Sequence, residues 1–251
     1  MFKKPKEEQP LVEFYTKVKG LIDTPELHPQ PANKFLPQWW RDMPKQEPYP
    51  APQTIKICPS FPDFFSQGYI IPLWTDIILN YDPLTSEYHW NAGTPGTNNP
   101  FVVEGHQNTQ FVNYVTPSFR GMPGQFVFKF ISPWYLKTPD GYSVYQMPLF
   151  YHFDNRFSVL PGIIHTDIHT QINQQVLYHG TGESIVIKRG TPFVQYIPFK
   201  RQKYQVDIRQ MNTEDDKYDS IESYNLMSKF PGSGAYKLKF LQHEKGLNVK
   251  N

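Results

Sequence analysis

Residues 126–199 read FVFKFISPWYLKTPDGYSVYQMPLFYHFDNRFSVLPGIIHTDIHTQINQQVLYHGTGESIVIKRGTPFVQYIPF. In this stretch, short runs of β-branched and aromatic residues alternate with turn-forming residues at regular intervals. That pattern is typical of consecutive strands in a small all-β unit. The stretch therefore predicts that the protein is mainly β.

The composition predicts a globular chain. Of the 251 residues, 39% are hydrophobic and 16% are aromatic, and each buried aromatic side chain removes roughly 150–250 Å² from water. A net charge of +2 implies neither a nucleic-acid partner nor a membrane surface. The single cysteine, Cys58, excludes an internal disulfide framework and fits a reducing compartment. Since no apolar run suits a signal peptide or a membrane span, we expect a cytoplasmic protein, in the host cytoplasm if it is viral.

The chain divides into three predicted segments. Residues 1–58 form a proline-rich arm, because repeated prolines forbid long helices and central strands. Its Trp39 and Trp40 are expected to pack on the chain's own β domain or on a neighbouring subunit. Residues 59–210 form the β domain, which begins with a short helix near Ser60, and residues 211–251 form a C-terminal helix and tail.

Three local patterns predict individual elements. Residues 74–79 form an apolar strand that pairs, across an Asp-Pro turn, with residues 87–90. Residues 203–211 alternate apolar and polar side chains, which predicts an edge strand. Residues 213–230 begin with acidic side chains and end near a lysine, which predicts a helix aligned with its dipole.

Motifs within residues 126–199 resemble those of the dUTPase and dCTP deaminase superfamily. In that superfamily, a G-V-I-D-x-D-Y-R-G segment leads through two short strands to G-D-R-I-A-Q-L. The matching residues here are Gly162, Ile163, Ile164 and Asp167 in the first motif, and Gly190, Val194 and Gln195 in the second. Residues 137–142, KTPDGY, look like the strand turn L-P-x-G-Y of the same superfamily.

The resemblance implies a β-clip-like distorted barrel over roughly residues 68–210, a homotrimer, and a nucleotide or phosphate-bearing ligand. A cupin-like or jelly-roll double-stranded β-helix is the alternative fold. The predicted ligand-binding residues are Tyr142, His165, Asp167, His169, Gly190 and Gln195. His165 stands where dUTPases carry their water-activating aspartate, and QMPLFYHF lacks the R-S-G phosphate motif. We therefore predict a non-catalytic binding or assembly protein that needs no cofactor.

A second resemblance covers roughly residues 35–210. The order of CPSFPDFF, GYIIPLWTD, TPDGYSVY and IKRGTPFVQYIP is similar to that in a family of uncharacterised proteins from bacteria and marine tailed phages. It implies a viral or bacterial cytoplasmic origin, and a structural component of the virion is a further alternative function.

The segment HTDIH contains the strongest alternative site. On a strand, His165, Asp167 and His169 would point to one face. A His-x-Asp pair also opens the iron site of 2-oxoglutarate oxygenases. An Fe(II) oxygenase would use His165, Asp167 and a distal ligand, either His243, which is the better spaced, or His179. The competing interpretation is the solvated polar face of a half-buried strand.

Asp76 and two clusters of basic residues are further candidate sites. Asp76 follows an apolar run and must find a partner or face water. Two basic clusters lie near aromatic side chains and could contact phosphate or form solvated faces: Lys188 and Arg189, and Lys200, Arg201 and Lys203.

Overall fold

The computed structural model describes residues 10–48, 54–58, 60–82, 84–85, 87–92, 103–107, 110–111, 114, 125–179 and 184–217. The chain forms two compact units. The first contains Met1–Phe35 and Gly68–Arg201, and the second contains Leu36–Gln67 and Gln202–Asn251. The three-segment division stays a prediction.

The first unit carries the strands. They are β1 (Glu13–Thr16), β2 (Gln30–Pro31), β3 (Tyr69–Pro72), β4 (Ile77–Asp82), β5 (Glu87–Ala92), β6 (Val103–Gly105), β7 (Gln125–Phe130), β8 (Trp134–Lys137), β9 (Tyr142–Met147), β10 (Phe157–Val159), β11 (Gly162–Ile164), β12 (Gln174–His179), β13 (Ile185–Ile187) and β14 (Pro192–Lys200).

These strands form antiparallel sheets. A five-stranded sheet has the order β11-β9-β14-β3-β2, and a four-stranded sheet has the order β10-β12-β7-β6. A three-stranded sheet, β13-β4-β5, and the pair β1-β8 complete the unit over the described residues. In that part of the chain no sheet closes into a barrel. The mainly β prediction is confirmed, whereas the β-clip and double-stranded β-helix assignments stay predictions.

Phe193 of β14 packs the five-stranded sheet against the four-stranded one. Its ring centroid lies 5.0 Å from that of Phe130 in β7 and 5.4 Å from that of Phe157 in β10. Trp74 meets the same ring edge-on at 6.2 Å. Burying one such side chain contributes roughly 1.5–3 kcal/mol, so this aromatic cluster is a main source of the stability that holds the two sheets together.

Two sequence predictions about this unit can be compared with the structure. The hairpin prediction is confirmed, because β4 pairs with β5 and the register ends with Asp82 opposite Glu87. The N-terminal segment is partly a strand, since β1 pairs with β8 and the Tyr15 ring stacks on Tyr135 at 5.2 Å.

Residues 36–67 of the second unit include two short α-helices, α1 (Gln38–Asp42) and α2 (Ser60–Phe65). Trp40 is buried, with its ring 4.8 Å from that of Phe65 and 6.0 Å from that of Phe61. Trp40 therefore packs on α2 of its own chain.

The edge strand predicted over residues 203–211 is wrong. These residues belong to no strand, and Tyr204, Val206 and Ile208 are 76%, 82% and 91% exposed. Alternation only prepares a segment for pairing, and a strand also needs a neighbour to accept its backbone hydrogen bonds.

The helix predicted over residues 213–230 lies mostly outside the described residues. Residues 213–217 are helical. The side-chain oxygen of Asn212 accepts the backbone N–H groups of Glu214 and Asp215, both at 2.9 Å, and so caps this turn. No helix in the described ranges has both the length and the apolar character needed to cross a membrane.

Candidate functional site

The HTDIH segment forms a turn that follows β11. The carbonyl of His165 accepts the backbone N–H groups of Ile168 at 3.0 Å and His169 at 2.8 Å. The prediction of a strand here is wrong, so His165, Asp167 and His169 do not share one strand face. The turn instead directs the Asp167 carboxylate toward a second turn, at residues 138–142.

Asp167 and Arg201 form a two-pronged ion pair at the end of β14. Arg201 donates from Nη1 to Oδ1 of Asp167 at 2.8 Å and from Nη2 to Oδ2. The backbone N–H of Gly141 also donates to Oδ2, at 2.9 Å. The side chain of Asp167 is only 6% exposed. The Arg201 guanidinium, helped by the Gly141 N–H, lowers the pKa of Asp167 to about 2 against the opposing effect of burial.

Gly141 lets the second turn reach Asp167. Its φ is +82°, in the left-handed region that glycine adopts without strain. The turn closes when the N–H of Tyr142 donates to the carbonyl of Pro139 at 3.0 Å. The Asp-Gly turn in the sequence therefore does more than reverse the chain, because it presents a backbone donor to a distant carboxylate.

Ser143 links the ion pair to His165. Its buried hydroxyl lies 2.7 Å from Nδ1 of His165 and accepts from Nη1 of Arg201 at 2.8 Å. Because arginine can only donate, the Ser143 hydroxyl is the acceptor in its bond with Arg201. Asp167, Arg201, Ser143 and His165 are called the Arg201 cluster below.

Strand register brings this cluster together. β9 lies between β11 and β14, and Ser143 stands opposite Phe199 in the register. Beneath the cluster, the buried hydroxyls of Thr138 and Thr166 lie 2.7 Å apart. The cluster thus joins three chain segments that are far apart in sequence, and its polar groups satisfy one another.

The remaining predicted residues lie in several places. The backbone carbonyl of Tyr142 accepts from Nη1 of Arg201 at 2.7 Å, and His169 is exposed beside the cluster. Gln195 is buried inside the five-stranded sheet, opposite Met147 and Ile70. It is about 20 Å from Arg201 along an extended strand. Gly190, with φ +83°, forms the turn before β14.

The predicted iron site is only partly within the described residues, because His243 lies outside them. Among the residues that the structure does describe, no group of three or more His, Cys, Asp or Glu side chains is placed to hold a metal ion. An ion bound by Asp167 would have to displace Arg201. The Fe(II) alternative stays a prediction.

Most of the basic residues singled out above have acidic partners. Asp76 accepts from Nζ of Lys188 at 3.0 Å and from the backbone N–H of Arg189 at 2.7 Å. The Arg189 N–H, followed by Lys188, lowers the pKa of Asp76. Arg189 also pairs with Glu26 at 3.3 Å. Asp76 therefore has hydrogen-bonding partners, and the charges of Lys188 and Arg189 are balanced by nearby carboxylates.

Sequence reasoning missed a cavity of about 310 Å³ beside β10. Eight of its twelve lining residues have apolar side chains, and the four polar ones lie between β9 and β10, in β10 and just before β14. The lining residues are Pro148, Leu149, Phe150, His152, Phe153, Asp154, Phe157, Ser158, Val159, Thr191, Pro192 and Phe193. Cavities of roughly 300–1,000 Å³ with few polar groups are typical of small-ligand sites.

Charge at this cavity is controlled by burial and by one ion pair. Burial lowers the pKa of His152, which favours its neutral form. Arg156 forks onto Asp154 through Nε and Nη2, at 3.0 Å and 2.6 Å. Phe153 has φ +52°, an unusual left-handed conformation for a bulky residue. Only the dense aromatic run of residues 150–153 hinted at this site in the sequence.

Comparison of the sequence with models of known protein families gives no match, and comparison with curated proteins gives none either. We therefore infer the function from the chemistry of the Arg201 cluster and of the cavity.

Proposed function

We propose that this protein is a non-catalytic binding or assembly protein on a dUTPase-like β scaffold. The observation that carries the proposal is that the side chains of His165 and Asp167 are both hydrogen-bonded within the Arg201 cluster. His165 binds Ser143 at 2.7 Å, and Asp167 binds Arg201 and Gly141.

Water activation of the dUTPase type needs a carboxylate that is free to accept a proton. Here the matching position carries His165, whose Nδ1 is already hydrogen-bonded, and the nearby carboxylate of Asp167 has a strongly lowered pKa. A carboxylate that holds an arginine is a weak base at neutral pH. The motif residues thus act as a clamp between turns rather than as a proton acceptor.

The proposed ligand is a nucleotide or another phosphate-bearing molecule, and the proposed partner in assembly is another copy of the chain. The exposed imidazoles of His165, within the cluster, and of His169, beside it, and the exposed side chain of Lys200 offer polar groups to such a ligand. The cavity beside β10 offers apolar walls for a small ring.

Turnover assays on the full chain test the proposal. The purified protein is incubated with dUTP or dCTP and Mg²⁺, and product is quantified by chromatography. We expect none from the wild type. His165→Asp, which places a carboxylate at the motif position, tests whether the scaffold still accepts substrate. Turnover by the wild type that His165→Ala abolishes would overturn the proposal.

Thermal-shift measurements identify what is bound. A ligand that binds only the native state adds about 2.7 kcal/mol of stability at 100 times its dissociation constant. A shift with dUTP, dCTP or inorganic phosphate supports the binding role. A shift with Fe(II) that disappears in His165→Ala would favour the oxygenase alternative instead.

A further inference from the structure

Residues 202–211 leave apolar side chains in solvent at alternate positions. Tyr204, Val206 and Ile208 are 76%, 82% and 91% exposed, and Met211 is 58% exposed. A segment with this alternation is normally half-buried in a sheet, and a cluster of exposed apolar side chains marks an interaction surface. Residues 202–211 are called the apolar arm.

The arm is fixed at its start by described contacts. Before it, the backbone N–H of Arg201 donates to the carbonyl of Gly141 at 2.8 Å, and the Arg201 side chain joins its cluster. At its other end, Arg209 pairs with Asp215, with Nη2 and Oδ1 3.1 Å apart. An arm that is anchored at its start and carries a local ion pair near its end loses less conformational freedom on binding than a fully free tail would.

The five-stranded sheet carries an exposed apolar row on one face. Ile163 stands opposite Tyr145, and Tyr145 stands opposite Ile197. Directly opposed residues lie on the same face of a sheet, and the ring of Phe199 stacks on Tyr145 at 4.3 Å. Ile163 and Tyr145 are 54% and 40% exposed, whereas Val144 on the opposite face is fully buried. Ile163, Tyr145, Ile197 and Phe199 are called the outer stripe.

The outer stripe reaches the edge of its sheet. β11 is the terminal strand, paired with β9 on one side and with no strand of the described residues on the other. An edge strand has a row of backbone groups ready to pair with a further strand. A strand added there would lie about 4.8 Å from β11, and its alternate side chains would extend the apolar row beyond Ile163.

We propose that the apolar arm of one copy pairs with the β11 edge of a second copy and that Tyr204, Val206 and Ile208 extend and cover the outer stripe. This inference rests on the assembly role proposed above and names the contact that would carry it. Every chain supplies both halves: an alternating apolar segment that joins no sheet of the described residues, and an apolar sheet edge that pairs with no described strand. If each copy gives its arm to the β11 edge of another copy, every arm gains a sheet and every edge gains a strand, and the assembly closes.

Light scattering coupled to size-exclusion chromatography tests the exchange on the full chain. The wild type should elute with the mass of a multimer. Ile208→Asp on the arm and Ile163→Asp on the stripe should each shift it to the mass of one chain, with the dissociation constant raised at least about tenfold. Leu84→Asp is the matched control, because Leu84 is 95% exposed and belongs to neither surface. It should remain multimeric.

Mixing the two single variants gives a sharper result. The Ile163→Asp chain keeps an intact arm, and the Ile208→Asp chain keeps an intact edge. Their mixture should therefore recover a mixed assembly that neither forms alone. Hydrogen exchange should show protection of the β11 amides in the wild type and its loss in Ile208→Asp. Circular dichroism and Tm verify that each variant is folded.

The outcomes separate this inference from the proposed function. A multimer that neither variant disrupts would overturn the exchange but leave the assembly role standing. A wild type that is monomeric at every concentration would overturn the exchange and leave only the binding role. Turnover of dUTP or dCTP would overturn the non-catalytic proposal whatever the mass.

Discussion

Removing one hydroxyl group from the core should cost a measurable part of the stability. Tyr196 of β14 is fully buried, and its hydroxyl donates to Oε1 of Gln146 at 2.9 Å. The hydroxyl oxygen of Tyr196 in turn accepts from Nε2 of Gln174 at 2.7 Å. Gln146 and Gln174 are themselves 3% and 0% exposed, so no water can replace the lost group easily.

The size of the effect follows from the partners that Tyr196→Phe leaves behind. Nε2 of Gln174 keeps its bond to the carbonyl of Ile172, whereas Oε1 of Gln146 loses the donor shown here. A buried acceptor without a donor costs about 1–3 kcal/mol, and the ring itself still fills its space. We expect a loss of about 2 kcal/mol, equivalent to a fall in Tm of about 4–8 °C for a domain of this size.

Urea unfolding followed by circular dichroism measures this loss, with the slope against urea expected to stay constant. Tyr204→Phe is the matched control, because it removes the same group from a residue that is 76% exposed. Its effect should stay within about 0.5 kcal/mol. A Tyr196→Phe protein as stable as the control would refute this account of the network.

The remaining predictions concern a glycine and the Arg201 cluster. Gly68 has φ +63°, and a Cβ added to it would lie 2.0 Å from a backbone carbonyl oxygen of β14. Gly68→Ala should therefore lower the free energy of unfolding by more than about 3 kcal/mol. Gly20→Ala, with φ +82° and nothing within 4 Å, should cost only about 1–2 kcal/mol; equal losses in urea would contradict the steric argument. Since the pKa of Asp167 is lowered to about 2 in the folded protein, its stabilising effect should be complete above about pH 5 and lost as the pH falls further. The fall in Tm from neutral to acid pH should be smaller in Arg201→Met than in the wild type and unchanged in Lys200→Met. An unchanged dependence of Tm on pH in both variants would argue against the Asp167–Arg201 pair.

Local sequence signals predicted local structure well. The β4–β5 hairpin needed only two apolar runs and an Asp-Pro turn between them, and all of that information lies within residues 74–92. The Asp-Gly turn before β9 could also be predicted from the sequence, because a left-handed turn position by itself favours glycine.

The same reasoning failed where a residue's partner is distant. HTDIH alternates like a strand, yet it turns so that Asp167 can meet Arg201, 34 positions later. Residues 203–211 also alternate, but they have no described strand beside them. A periodic pattern specifies which side chains could share a face, but it does not supply the neighbour that makes a strand.

The sequence by itself determined that the protein is mainly β, where its hairpin turns lie, and that a polar HTDIH segment follows an apolar run. Only the tertiary structure decided what that segment does. β9 lies between β11 and β14, and this register places His165, Ser143, Asp167 and Arg201 in one hydrogen-bonded cluster. The same register gathers the outer stripe. The physical reason is that long-range strand pairing depends on how whole sheets pack, and no short window of sequence carries that information.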